Sequence, residues 1–347
     1  MKTATLPKPT RQDPQVASRS RLAIPKAHGL KINKVLVPID FSEPSLQALE
    51  FALPILKQFG AQLHLVHVSA PAYPLTSRAT MPLVVSEVTV GKRVRRHLRD
   101  VAKKYSVKLE PGTVHALRGR AFTEICRLAR VKGIDLIITS TRGLTGLKHL
   151  ALGSTAERVV RYSPCPVLVV RPSERKSTAG RNGLKTKREL SFHKILVPID
   201  FSECATKGLA YAKVLAGEFG SKLVLLHSVA PQYYVTNDEY ARYDFSLLMQ
   251  QCENAARGQM GELVEKTDWA GVLELETSLQ TGHPGDQICS RAADHRIDLI
   301  VVSTHGRTGL KHIFIGSTAE YVMRHAPCPV LVVPSHERPL LNSKKQN

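Results

Sequence analysis

The chain writes itself twice. "KVLVPIDFSEPSLQALEFALPILKQFGAQLHLVHVSAP", beginning at Lys34, returns as "KILVPIDFSECATKGLAYAKVLAGEFGSKLVLLHSVAP", beginning at Lys194. Later, "STRGLTGLKHLALGSTAE" from Ser140 to Glu157 returns as "STHGRTGLKHIFIGSTAE" from Ser303 to Glu320, with thirteen of eighteen positions identical. Early pairs such as Pro38 with Pro198 stand 160 residues apart, and late pairs such as Gly143 with Gly306 or Pro164 with Pro327 stand 163 apart. The second copy therefore carries a net three-residue insertion between its second strand and its late loop. Solenoid units run to about 20–50 residues, so a period this long means two tandem copies of one domain. A chain of 347 residues has room for both. The expected division is a basic disordered tail over 1–33, a domain over 34–171, a basic linker over 172–193, a domain over 194–334 and a C-terminal tail over 335–347.

Each copy alternates strand and helix patterns. In the first, "KVLVPID" is a continuous apolar run, suited to a strand buried on both faces. Residues 44–59 carry apolar positions at helical spacing, and Pro54 is expected to kink or shorten that helix. "AQLHLVHV" reads as a second strand, "GKRVRRHLRDVAKKY" as a polar-faced helix and "VKLEPGTVHAL" as a third strand. "AFTEICRLARVKG" is helical and stops at Gly133; "IDLIITS" is a fourth strand, "AERVVRY" begins a last helix and "CPVLVV" is a fifth strand. That alternation predicts an α/β fold, with two tandem doubly wound five-stranded parallel sheets covered by helices on both faces. Ligands of such sheets sit beyond the carboxyl ends of the strands, where the strand order reverses. If strands one and four are neighbours, "PID" and the late glycine loop line one crevice.

The glycine loop invites a chemical reading. Glycines allow positive φ and close backbone approach to a ligand, and a helix N-terminus offers free N–H groups to an anion. Ser154 with Glu157, and Ser317 with Glu320, also fit a capping box, so the same residues fit a plain helix start. Neither a G-x-x-x-x-G-K-S/T loop nor a G-x-G-x-x-G after the first strand is present. His67 and His227 end a strand and read as structural histidines. His149 and His312, beside Lys148 and Lys311, fit a solvated face or, more sharply, a phosphate contact.

The order and spacing of four motifs, "VPIDFSE", "LVHV", "STRG" followed by nine residues and "GS", then "PCPVLVV", resemble the universal stress protein family. The resemblance covers nearly all of 34–171 and again 194–334. It implies the adenine nucleotide alpha hydrolase-like fold with strand order 3-2-1-4-5. Many members bind ATP through G-x-x-G, nine residues, then G-S/T. Here the first glycine of that motif is Ser140 in one copy and Ser303 in the other; serine is small and can donate to phosphate or ribose. Position by position, the resemblance places Asp40 and Asp200 near ribose and Val68 and Ser228 against adenine. It places Gly143, Gly153, Ser154 and Thr155, and Gly306, Gly316, Ser317 and Thr318, around phosphates. Pro38, Ser140 and Arg142, with Pro198, Ser303 and His305, complete the expected nucleotide-binding set. On the residues alone, Asp40 also fits a turn before the first helix, and Val68 fits core packing. No catalytic and no metal-binding residues are expected.

The function implied is an ATP-binding stress-response regulatory module with at most slow hydrolysis, its cofactor being ATP with or without magnesium. An ATP-using hydrolase or transferase is the alternative. A second alternative, a dimerisation module with nucleic-acid affinity, comes from the net charge of +20. Residues 1–34 hold eight basic side chains against Asp13, and 171–194 hold eight against two acids, so these segments supply +13 of it. Weak non-specific polyanion binding is expected. The Val-rich fifth strand would leave an apolar edge, a liability that folds usually cover. Family members pair through it, so the two copies are expected to pair as an intramolecular pseudo-dimer, with a homodimer of whole chains as a further option. None of the six cysteines sits in a C-x-x-C pair, which disfavours zinc, and Cys126 and Cys289 fit core-facing positions. No run of about 20 apolar residues could span a bilayer. The N-terminus lacks a signal-like apolar stretch. It is basic and acid-poor as a transit peptide is, but its prolines favour a disordered tail. A cytoplasmic location is expected.

Overall fold

In the computed structural model, residues 31–70, 87–141, 152–171, 192–229, 245–304 and 315–334 are described. Strand β1, Lys34–Pro38, buries Val35, Leu36 and Val37 completely, as a strand covered on both faces must. Helix α1, Glu43–Phe59, begins at Ser42, whose hydroxyl accepts the Ser45 N–H, and ends at Gly60 in the left-handed conformation with φ 62°. Pro54 does not shorten it. Ile55 and Leu56, just past the proline, are buried in the core, and their burial offsets the one helical hydrogen bond that proline cannot donate.

The first copy continues through β2 (Gln62–Ser69), α2 (Glu87–Lys104), β3 (Val114–Arg118), α3 (Ala121–Lys132), β4 (Leu136–Ser140), α4 (Ser154–Tyr162) and β5 (Val167–Val170). Strand β3 is shorter than its sequence suggests. Residues 107–113 lie outside it, because Pro111 has no N–H to give a ladder and Gly112 turns the chain at φ 81°. The second copy repeats the order as β6 (Lys194–Pro198), α5 (Glu203–Phe219), β7 (Lys222–Val229), α6 (Phe245–Lys266), β8 (Glu274–Thr281), α7 (Pro284–Asp294), β9 (Leu299–Ser303), α8 (Ser317–His325) and β10 (Val330–Val333). Its extra length shows in α6, 22 residues against 18 in α2, and in β8, eight against five in β3.

Both halves take the order 3-2-1-4-5, with all pairings inside a half parallel. The halves are not separate sheets. Strand β5 pairs antiparallel with β10, Leu331 opposite Leu168 and Val330 opposite Val169, to give one ten-stranded sheet. Alternation along these two strands feeds both faces. Leu168 and Leu331 join the apolar layer under α1 and α5, while Val167, Val169, Val330 and Val332 join the layer under α3, α4, α7 and α8. Each layer is therefore continuous across the seam. Pairing also removes two apolar edges that would otherwise face water.

Candidate functional site

Because β1 pairs with both β2 and β4, the strand order reverses between β1 and β4. Their carboxyl ends, Pro38 to Asp40 and Ser140 to Thr141, open on the same end of the sheet, as Pro198 to Asp200 and Ser303 to Thr304 do between β6 and β9. Helix α4 is tied to this end by the Gly153 N–H, which donates to the Thr141 carbonyl at 2.7 Å. The second copy repeats it from Gly316 to Thr304, also 2.7 Å. Gly153 has an ordinary φ of −61°, so positive φ is not why it is glycine. A Cβ there would lie 3.1 Å from the Thr141 carbonyl oxygen, and at Gly316 3.3 Å from that of Thr304. The glycines permit close backbone approach.

The capping box does not form. Gly153 and Gly316 are themselves the N-caps, with no side-chain cap hydrogen bond, and Ser154 and Ser317 are already the first helical residues. Both serines are exposed. Glu157 turns away instead, pairing with Arg161 at 3.1 Å and with Arg324 of α8 at 3.4 Å; Glu320 pairs with Arg324 at 2.8 Å. The first turn of each helix thus keeps its glutamate neutralised by arginine, and its leading N–H groups are not capped by a side chain. That is the arrangement an anion at the helix start requires.

Asp40 forms a turn. Its Oδ1 accepts from the Ser42 N–H at 3.0 Å and from the Ser42 hydroxyl at 2.5 Å; Asp200 and Ser202 match at 3.0 and 2.6 Å. Val68 is half-buried and packs against the layer under α3 and α4. Ser228 donates its hydroxyl to the Gly282 carbonyl at 2.7 Å, so the polar atom that distinguishes it from Val68 is taken up by backbone. Thr155 is exposed and Thr318 half-buried in the first turns of α4 and α8. Ser140 is buried as the last residue of β4, and Ser303 ends β9 in the same register. Arg142, Gly143, Lys148, His149, His305, Gly306, Lys311 and His312 lie outside the described residues. His67 Nδ1 lies 2.8 Å from the Ile39 carbonyl and His227 Nδ1 2.6 Å from that of Ile199, so both rings donate to backbone.

Two features of this end escape a motif reading. Phe41 and Phe201, directly after the aspartates, hold φ of 65° and 63°, a region costly for any bulky side chain. Each ring rests on the neighbouring histidine, with centroids 4.9 Å from His67 and 4.6 Å from His227. Backbone strain of this kind collects at ligand clamps, and the doubled "DF" is its only trace in the sequence. The second feature is the pair of carbonyls of Thr141 and Thr304, visible beforehand only as the second letter of each "ST". Behind α4, burial pushes the Cys126 thiol up to about 12, so it is inert packing. Among the described residues, no group of three or more His, Cys, Asp or Glu could hold a metal ion.

The universal stress protein family model matches residues 31–171 and 191–334. The chain belongs to the universal stress protein family. It is 35% identical over 149 residues to universal stress protein YxiE of Bacillus subtilis, spanning 40% of this chain and 99% of the relative. It is 34% identical over 142 residues to a universal stress protein of Methanocaldococcus jannaschii, spanning 40% of this chain and 81% of that one. These relatives correspond to one domain each; here two universal stress domains stand in tandem. The whole fold has solved counterparts. A universal stress protein from Archaeoglobus fulgidus superposes with TM-score 0.55 at 22% identity, covering 88% of this chain and 97% of the other. A functionally unknown protein from Pseudomonas aeruginosa gives 0.58 at 20%, covering 88% and 93%.

Proposed function

We propose that this universal stress protein is a regulatory module whose two domains each hold an adenine nucleotide at the carboxyl ends of β1 and β4, or β6 and β9. The observation that carries the reading is the doubled glycine contact, Gly153 to Thr141 and Gly316 to Thr304, beside a helix start that no side chain caps. A cradle that a Cβ would crowd, opening on a helix start that no described side chain caps, suits phosphate. Gly143, Gly153, Ser154 and Thr155 surround the phosphates in the first domain, and Gly306, Gly316, Ser317 and Thr318 in the second. Ser140 and Ser303 line the loop base. Asp40 and Asp200 face ribose, while Pro38 and Pro198 shape the strand ends. Val68 and Ser228 form the adenine wall. ATP fits this set, and magnesium would accompany it through the phosphates.

The sites are unequal. Arg142, always charged, forks onto phosphate, whereas its counterpart His305 is a weaker anion ligand when neutral. The first domain is the tighter site. The output of this reading is binding rather than turnover. Denaturing purified protein and identifying the released nucleotide tests the ligand class. A turnover near 10 per second with nucleotide and magnesium, ordinary for enzymes, would instead favour the hydrolase or transferase reading.

A further inference from the structure

We propose that the outer face of α2 is a docking surface for the phosphate backbone of a nucleic-acid duplex. The proposal stands independently of the nucleotide sites. Helix α2 carries Lys92, Arg93, Arg95, Arg96, Arg99, Lys103 and Lys104 against Glu87 and Asp100, a net +5. Helix α6 occupies the same place in the second copy with Arg257 and Lys266 against Glu253, Glu262 and Glu265, a net −1. Both helices lean on the same two strands of their half, so packing there does not call for cations. Outside residues 1–34 and 171–194, the chain retains +7 of its +20. This single helix supplies five of those seven charges.

The cations are arranged along one side of the helix, with Lys104 over the Tyr105 ring at 5.9 Å. Leu98 and Ala102 are buried, with Val94 and Val101 packed beside them, so the apolar side of α2 is fixed on the sheet. Lys92, Arg93, Arg96, Arg99, Lys103 and Lys104 are exposed on the other side. Among the described residues, none of these six ion-pairs with a carboxylate. Lys92, Arg96, Arg99 and Lys103 follow one another at i, i+4, i+7 and i+11, a stripe of about 16 Å at helical rise. Like charges at these spacings repel and weaken a helix, and a polyanion laid along them removes the repulsion. Asp100, exposed on the same helix, opposes it.

The class of polyanion follows from what the face holds and lacks. Arginine forks match phosphate oxygens. Helix α2 itself carries no Phe, Tyr or Trp on which single-stranded bases could stack, and Phe41 beside it is engaged by His67 and His97, which favours a duplex read through its backbone. An anionic bilayer is disfavoured because the apolar side of α2, which would have to sink into lipid, is already occupied.

The test is fluorescence anisotropy of the full chain with a labelled DNA duplex of mixed sequence across a salt series. Each phosphate contact contributes about −0.9 to the slope of log K against log salt. Arg96→Gln, Arg99→Gln and Lys103→Gln together, which keep helix-favouring side chains, should make that slope shallower by roughly 2 to 3. Arg96→Gln alone should change it by about 1 and serves if the triple variant folds poorly. Arg257→Gln on α6 should leave it unchanged. Wild-type slope and affinity in the α2 variants would assign all polyanion binding to the terminal and linker segments and overturn the proposal. So would loss of binding to phosphatidylserine vesicles with duplex binding intact, or equal losses on α6.

Discussion

Acid should loosen the first domain through a histidine pair, His64 buried and His115 half-buried, that the second domain lacks. His64 in β2 is 3% exposed, with Nδ1 3.1 Å from His115 Nε2 and Nε2 2.8 Å from Gln62 Oε1. The Gln62 amide nitrogen faces the Glu110 carboxylate, so its oxygen faces His64. His64 therefore donates from Nε2, and His115 donates to its Nδ1. A proton added to Nδ1 would set two donors against each other. Burial, then the charges of His115, Lys34 and Lys132, push His64 down from 6.5 to about 4; burial and Lys132 lower His115 too. In the unfolded chain His64 takes its proton near 6.5. The stability held by the neutral ring is therefore complete above that pH and is lost as pH falls from about 6.5 to about 4. A drop of that size corresponds to at most about 3 kcal/mol, which solvent screening around these strand ends cuts to roughly 1–2 kcal/mol. The perturbation is His64→Val, because Val224 fills the same register in the second domain. Urea unfolding of both proteins at a series of pH values is the assay. Wild type should lose about 1–2 kcal/mol more than the variant between about pH 7 and pH 4.5. Parallel curves would refute the reasoning, as would a variant that is the more acid-sensitive of the two.

Gly153→Val should abolish the tighter nucleotide site by calorimetry and Gly316→Val the weaker one, since the added side chain meets the Thr141 or Thr304 carbonyl. If Gly153→Val spares the tighter site, the ranking of the domains fails. Leu331→Ala at the seam should cost about 2–5 kcal/mol and lower the unfolding midpoint of both halves, because Leu331 and Leu168 share one apolar layer. Destabilisation confined to the second half in hydrogen exchange would contradict a continuous layer. Thiol labelling near neutral pH should modify exposed Cys252 first and leave buried Cys126, Cys165 and Cys328 untouched in the folded state. Burial holds the thiols of Cys126 and Cys328 at about 12. Rapid labelling of either, followed by mass spectrometry, would show that α4 or the last strand opens.

The alternation of buried strands and helices was legible because continuous apolar runs suit a doubly covered parallel sheet, whereas the strand order and the seam were implied by the family resemblance and not by the apolar pattern. Pro54 does not shorten its helix as the local rule suggested, because that rule was weighed without the core behind Ile55 and Leu56. The third strand read too long because Val107 and Leu109 look like strand residues, although Pro111 and Gly112 end any ladder before it starts. Ser154 suggested a cap for a subtler reason. A capping box and a phosphate loop share the same letters, and only the placement of Gly153 as the cap separates them. The positive φ of Phe41 and Phe201 was invisible, since no residue type announces a left-handed phenylalanine.

The antiparallel join of β5 to β10 has a consequence for how this chain can evolve and be regulated. A lone domain with such an edge must find a second molecule, so its assembly depends on concentration and on which relatives are present. Tethered halves meet at an effective concentration fixed by the connecting chain, whatever the expression level, and exchange no subunits. Each half always faces the same neighbour. That permanence frees the two copies to specialise, and the record of specialisation is already there: a histidine pair where the other has Val224 and Ser278, and a cationic helix where the other is nearly neutral.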